Sequence, residues 1–246
     1  MMMAIGIIGG SGLTQLKDLN VAREELVDTP YSEKSVSLLC GALNGLDVVF
    51  LPRHGSNHSI PPHKINYRAN LWAMHSLGVK EVIGMAAVGG IGELLSPGTL
   101  CVADQIIDYT YDREHTYFGE NLSSVTHVDF TEPYCEVLRQ KLIAAAEVEG
   151  INILDSGTYA ATQGPRLESA AEIHRLKQDG CHLVGMTGMP EAGLARELDI
   201  CYANLSLVVN WAAGKGDGPI TMQVIEQHLQ TGMQKAIQVM SAIPTN

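Results

Sequence analysis

The sequence predicts an α/β fold with a mixed or mostly parallel sheet, gathered into one domain. Three observations predict it. Short apolar runs alternate with stretches of helical periodicity along all 246 residues, the pattern of strands feeding helices. Polar and glycine-rich motifs recur at the ends of the apolar runs, where open α/β sheets collect ligands. No linker, repeat or charge block interrupts the chain, so residues 1–246 read as a single domain. Composition agrees. Hydrophobic residues make up 46% and charged ones 17%, and 25 Gly stand against 3 Phe and 2 Trp. That excludes low-hydrophobicity disorder and suits a sheet with many tight strand-to-helix turns.

The elements follow in order. Residues 4–8 read as a buried strand ending in Gly9-Gly10-Ser11-Gly12, and 47–51 as a second one ending in Pro52-Arg53-His54-Gly55. Residues 66–77 carry helical spacing through Leu71, Trp72, Met74 and Leu77, with Gly78 as the stop. Residues 82–85 form a short strand running into Ala86-Ala87-Val88-Gly89-Gly90; 99–102 and 105–107 are further strands. An amphipathic helix covers 133–150, with Pro133 near its first turn and Gly150 just past its end. Residues 158–162 lead into Gln163-Gly164-Pro165-Arg166, and a helix follows over 169–177. Residues 182–184 run into Gly185-Met186-Thr187-Gly188, residues 190–197 are helical, and 201–209 form a long strand. The last helix begins near Thr221, with 227–239 as its body.

Charge and cysteine usage narrow the function. A net charge of −11 opposes long-range steering to nucleic acid or an anionic membrane, although a small anion can still be held in a local pocket. Cysteines stand at 40, 101, 135, 181 and 201; the number is odd and no CxxC occurs. Buried free thiols in a reducing compartment are expected, not a disulfide framework or a thiolate zinc site. The longest apolar stretch, 82–92, is too short to span a membrane, and the first residues carry no basic n-region or cleavage site. A cytoplasmic protein is expected.

Five motifs carry chemistry. Gly6-Ile7-Ile8-Gly9-Gly10-Ser11-Gly12 is a glycine turn after a strand, offering backbone N–H groups and the Ser11 hydroxyl to an anion. It fails the dinucleotide register, because Gln15 stands where the last glycine belongs, and no Gly-Lys-Ser/Thr follows for a P-loop. Arg53-His54-Gly55 pairs an arginine fork with an imidazole and fits a phosphate dianion; a surface arginine beside a capping histidine is the alternative. His58 and His63 follow, but Pro61-Pro62 breaks any helix that would align them on a metal. Gly164-Pro165-Arg166-Leu167-Glu168 can aim a carboxylate into a cleft, although Glu168 and Glu172 equally suit a helix start. Gly185-Met186-Thr187-Gly188-Met189-Pro190-Glu191 offers a hydroxyl beside a glycine turn, with Met as core filler the alternative. Asn210, before Trp211 and Ala212, brings an amide that both donates and accepts, unless it merely forms a turn.

Taken together and in this order, these motifs resemble one family. GIIGGSG, LPRHG, NYRANLWA, EHTYF, HVDFTEPY, QGPRLES and GMTGMPEAGLA, spread from Ile5 to about Ile237, are similar to the trimeric purine nucleoside phosphorylases, in particular their methylthioadenosine/methylthioinosine branch. The resemblance implies one α/β domain with a central mixed sheet flanked by helices, assembled as a homotrimer with sites near subunit contacts. It implies phosphorolysis of a nucleoside, with inorganic phosphate as co-substrate and neither metal nor organic cofactor. By the same resemblance Ser11, Arg53, His54 and Thr187 hold phosphate with the backbone of Ala86 and Ala87. Met186 lies along the ribose, while Asn210, Trp211, Ala212, Glu168 and Leu167 meet the base. His127 comes from the neighbouring subunit, and Asn210 is the catalytic residue.

Departures within the family imply the substrate. The adenosine-specific branch has Asp-x-Asp where Asn210-Trp211-Ala212 stands and a small hydroxyl residue where Glu168 stands; this chain matches the 6-oxopurine enzymes at both. The chemistry agrees, since a carboxylate accepts from the N1–H of a 6-oxopurine but repels the N1 lone pair of adenine. A site matched to one pattern leaves the other unpaired, at about 1–3 kcal/mol for each buried group. Ordinary members turn a histidine toward the 5′-hydroxyl. Here Met222, Val224 and Ile225 make that stretch apolar, as a methylthio group would need, with His228 a turn further on. Many relatives place Thr or Asn at Ala86, which offers only backbone. A methylthioadenosine phosphorylase, a general 6-oxopurine phosphorylase and a non-catalytic nucleoside-binding protein are the competing readings.

Overall fold

The structure, a computed structural model, describes residues 4–10, 13, 18–119 and 124–244. Ser11 lies outside the described residues. In chain order the strands are β1 (Ile5–Gly9), β2 (Leu19–Thr29), β3 (Ser32–Leu43), β4 (Leu46–Pro52), β5 (Glu81–Gly90) and β6 (Leu100–Val102). β7 (Gln105–Asp108), β8 (Ile153–Leu154), β9 (Thr158–Ala161), β10 (Leu183–Gly185) and β11 (Cys201–Trp211) complete the sheet. The helices are α1 (Tyr67–Ser76), α2 (Glu136–Val148), α3 (Ala170–Gln178), α4 (Gly188–Glu197) and α5 (Met222–Ser241).

Every residue of β1 is buried, which explains its unbroken apolar run. Its neighbours β4 and β5 run parallel to it. The sheet order is β2-β3-β4-β1-β5-β10-β9-β7, and β11 joins β5 to β6 and β8. β5 is therefore the branch point, parallel to β1 and β11 but antiparallel to β10. The sheet is mixed and helices cover both faces. One core joins it to α1 and α4 through Leu71, Met74 and Leu194; another joins it to α2 and α5 through Leu138, Leu142, Met233 and Val239. The α/β architecture expected from the sequence is present.

Local chemistry fixes the helix ends. Asn66 caps α1 by accepting from the Ala69 N–H at 3.0 Å, and Thr221 caps α5. Ser169 and Glu172 form a reciprocal capping box on α3. Glu172 therefore serves the helix, while Glu168, four residues earlier, stays outside it.

Three expectations need correction. The run at 82–85 is too short, because β5 continues as strand through Gly90. Its glycines admit close backbone rather than a turn: a Cβ on Gly90 would lie 1.9 Å from the Leu95 carbonyl oxygen. The helix expected from Pro133 begins at Glu136, with Cys135 as its cap. Cys135 and Cys201 are joined in a disulfide across 66 residues of sequence, whereas Cys40, Cys101 and Cys181 are free and buried as expected. The pair sits side by side because Cys135 donates its backbone N–H to the Tyr202 carbonyl at 2.8 Å.

Candidate active site

A cavity of about 510 Å³ opens at the C-terminal ends of the central strands. Its walls come from Gly10 after β1, Arg53 and His54 after β4, and residues 86–89 at the end of β5. Residues 184–187 around the end of β10, Val209 and Asn210 on β11, and the first two turns of α5 close the rest. This is where an α/β sheet brings chain segments distant in sequence to one place.

At one end the polar groups are buried. Arg53 and Glu191 are 1% and 1% exposed. The guanidinium grips the Glu191 carboxylate with both arms, Nε and Nη2 each at 2.7 Å, and Nη1 donates to the Met85 carbonyl at 2.8 Å. The Tyr202 hydroxyl donates to the same carboxylate at 2.7 Å. Burial pushes the Tyr202 phenol well above its usual range, with Glu191 adding to this, so it remains a donor. Burial opposes the charge on Arg53, but the Glu191 carboxylate outweighs it, and the arginine pKa is raised. The bidentate fork that the sequence reading reserved for phosphate is thus closed on Glu191. Three of the five guanidinium N–H bonds are spent, leaving two for a ligand. Gly10 leaves space beside this group, because a Cβ there would meet Arg53 Nη1 at 3.0 Å.

His54 is 6% exposed, and its Nδ1 lies 2.8 Å from the Ile60 carbonyl oxygen. Burial, helped by the adjacent Arg53 charge, lowers its pKa to about 4. The ring is neutral at pH 7, and the carbonyl fixes its proton on Nδ1. Nε2 is then an acceptor. Thr187 is 7% exposed and does not spend its hydroxyl on capping α4; its backbone N–H donates to the Tyr159 hydroxyl at 3.4 Å.

Asn210 sits on β11 at an irregularity of register between Val208 and Asn210, which rules out the turn reading. It is 8% exposed, and its Nδ2 donates to the Trp211 carbonyl at 2.7 Å. Oδ1 and a second N–H are left for a ligand. Glu168 is half-buried on the cavity wall, where one carboxylate oxygen accepts from the Thr162 hydroxyl at 2.7 Å. Leu167 lines the wall beside it. Gly164 has φ +62°, and a Cβ there would lie 2.4 Å from Met186 Sδ, so the loop that leads to Glu168 packs directly on the methionine.

The far end is apolar. Ile220, Met222, Ile225 and Leu229 line it, with Glu226 and Gln230 at its edge. Val224, His228 and Trp211 are not on the wall, and Val224 is 40% exposed. Ala86, Ala87, Met186 and Ala212 are all on the wall. His127 is exposed and does not line the cavity of its own chain. Among the described residues, no three His, Cys, Asp or Glu side chains gather as a metal site, and no helix is long and apolar enough to cross a membrane.

Nothing local in the sequence marks Glu191 as the partner of Arg53, nor gives Tyr202, Thr162 and Arg113 their places beside the cavity. The only signal for Glu191 is a carboxylate at the start of a helix after a glycine turn. Its pairing with a residue 138 positions away exists only in the fold.

Comparison with known proteins places the chain. Residues 4–243 match the phosphorylase superfamily, and the chain belongs to that family. Within it, the chain is 52% identical to the probable S-methyl-5′-thioinosine phosphorylase of Pseudomonas syringae pv. tomato, over 95% of each chain. It is 45% identical to the 6-oxopurine nucleoside phosphorylase of Pyrococcus furiosus, over 99% of this chain and 93% of that one. The methylthioadenosine phosphorylase of Schistosoma mansoni in complex with adenine superposes with a TM-score of 0.93 at 31% identity, covering 98% and 90% of the two chains.

Proposed function

We propose that this protein is a phosphorylase that cleaves S-methyl-5′-thioinosine to hypoxanthine and 5-methylthioribose 1-phosphate. One observation carries the reading. A single cavity runs from buried anion-binding groups, past Met186, to a carboxylate and an amide on one side and an apolar wall on the other. Phosphate fits the first end. Two Arg53 N–H bonds, the Thr187 hydroxyl and strand-end N–H groups near Ala86 and Ala87 donate to its oxygens, with Ser11 completing the set. The neutral His54 accepts from the hydroxyl of hydrogen phosphate at Nε2.

The base is read at the second end. Thr162 holds one oxygen of Glu168, leaving the other to accept from N1–H of a 6-oxopurine. Adenine offers only a lone pair there. The spare N–H of Asn210 donates to the purine and meets the negative charge that develops as the base leaves. The 5′-methylthio group lies against Met222, Ile225 and Leu229, with no contribution from Val224. The reaction is displacement at the anomeric carbon through an oxocarbenium-like state: a phosphate oxygen forms the new bond as the C–N bond breaks, and the purine leaves with the electron pair. Positioning and preorganised charge do the work, with no covalent intermediate and no cofactor. The protein acts in the cytoplasm as a homotrimer, with His127 reaching into a neighbouring site and neither nucleic acid nor membrane as a partner.

The test supplies phosphate with methylthioinosine, methylthioadenosine, inosine and adenosine in turn and follows base release. Methylthioinosine is expected to be preferred. Equal use of methylthioadenosine would sink the base reading, and preference for inosine would sink the sugar reading. Base release without phosphate would indicate a hydrolase instead.

A further inference from the structure

Arg113 is 8% exposed, lies outside the cavity wall, and makes no ion pair among the described residues. A buried arginine without an acid is costly, so where its N–H groups go is informative. Nη1 donates to the carbonyls of Met186 at 2.8 Å and Met189 at 2.6 Å, and Nη2 to those of Thr162 at 3.2 Å and Gln163 at 2.8 Å. Nε donates to the Gln163 side chain at 3.1 Å, and the guanidinium lies over the Tyr67 ring at 5.5 Å. Apart from the Tyr67 hydroxyl on α1, which Nη1 also reaches at 3.3 Å, the fork divides its donors between two loops. Met186 and Met189 bracket Thr187, at the sugar and phosphate end. Thr162 and Gln163 lead to Glu168, and the Thr162 hydroxyl holds that carboxylate.

We propose that Arg113 is a positioning residue that ties the base-reading loop to the sugar- and phosphate-binding loop, so that base recognition and phosphate binding depend on one guanidinium. Only an arginine suits the task. Its five donors lie in one rigid plane and reach both loops together, whereas lysine has three donors on a single point and can serve one loop at a time. A misplacement of about 1 Å between reacting groups can cost roughly a hundredfold in rate. The inference rests on the roles proposed above for Glu168 and Thr187.

The test is Arg113→Lys in the full chain, with melting temperature, the phosphate KM, and the kcat/KM ratio of methylthioinosine to methylthioadenosine as readouts. Retained folding is expected, with the base preference cut about tenfold or more and the phosphate KM raised about fivefold or more, although Arg113 touches neither ligand. A folded variant with both readouts within twofold of wild type would overturn the proposal, as would a change in only one, since the tie joins two loops. Should Arg113→Lys not fold, Gln163→Ala removes one acceptor of the same guanidinium away from the cavity. It is expected to shift both readouts about threefold in the same direction, and no shift would overturn the proposal. Wild-type protein with no base preference would instead strike at the role of Glu168, and the phosphate KM would then still report on Arg113.

Discussion

At the end of the cavity proposed for phosphate, Arg53, Glu191 and Tyr202 are buried and locked to one another, Arg53 from the turn after β4, Glu191 from α4 and Tyr202 from β11. At the end proposed for the sugar, Met222 is 66% exposed and the wall is the first turns of one helix. That helix has fully buried residues only in its second half, where Gly232 lets α5 settle on β11; a Cβ there would meet Leu207 at 2.4 Å. The first end has its charges oriented before any ligand arrives, which is the condition for electrostatic preorganisation. The second end contributes apolar contact, where each methylene is worth about 1–3 kcal/mol in discrimination. Phosphate use should therefore be all-or-none and sugar preference graded.

The sharpest way to break this contrast is Glu191→Gln. Removing one charge of a buried pair strands the other and is expected to destabilise the fold by about 3–5 kcal/mol. For a domain of this size that lowers the melting temperature by roughly 6–20 °C. Met222→Ser, at the exposed rim, should leave it unchanged. Calorimetry on both variants decides it. Comparable small shifts would mean that the Arg53 end is no more rigid than the helix rim.

Glu168, proposed to read the base, lies between the two extremes. Glu168→Gln keeps the shape but replaces the acceptor pair with an amide, and should lower kcat/KM for 6-oxopurine nucleosides by about tenfold to a hundredfold, or roughly 1–3 kcal/mol. Unaltered 6-oxo against 6-amino preference would remove Glu168 from base recognition. At the sugar end, Met222→Ser is expected to lower the methylthioinosine-to-inosine preference only about fivefold. A hundredfold loss would show a tighter pocket than the exposed rim suggests.

The same contrast explains what the sequence made legible. The residues proposed to meet ligands sit in short glycine-rich motifs at strand ends, and such motifs stand out locally. Arg53, His54, Thr187, Asn210 and Glu168 are marked in this way, and all line one cavity. What holds them is spread over the chain and has no local mark. Glu191, Tyr202 and Arg113 acquire their partners through pairings across 138, 11 and about 50–76 positions. The β2–β3 hairpin carries little local mark for another reason. Its strands are largely solvent-exposed on β2, so the apolar alternation that reveals a half-buried strand is weak there. Apolar composition alone puts Val224 in the pocket with its neighbours, yet on a helix successive residues turn away by about 100°, and Met222 and Ile225 reach the wall without it.

The most local of the expected effects is read from pH. His54 belongs to the rigid end, and its neutrality can be read from stability alone. Unfolded, the imidazole titrates near 6.5; folded, burial and Arg53 hold it at about 4. Between those values the unfolded chain binds more protons, so stability rises with pH. The contribution of His54 is fully present above about pH 6.5 and is lost as pH falls through about 4. Urea unfolding of wild type and His54→Asn, at half-unit steps from pH 4 to 7.5, isolates it. The wild type should lose stability relative to the variant by up to about 1.4 kcal/mol per pH unit inside the window and run parallel to it above pH 7. Met222→Ser should keep the wild-type slope, because the sugar end buries no titrating group. Parallel curves for wild type and His54→Asn across the whole range would mean that the imidazole is not held neutral, and the acceptor at Nε2 proposed for hydrogen phosphate would go with it.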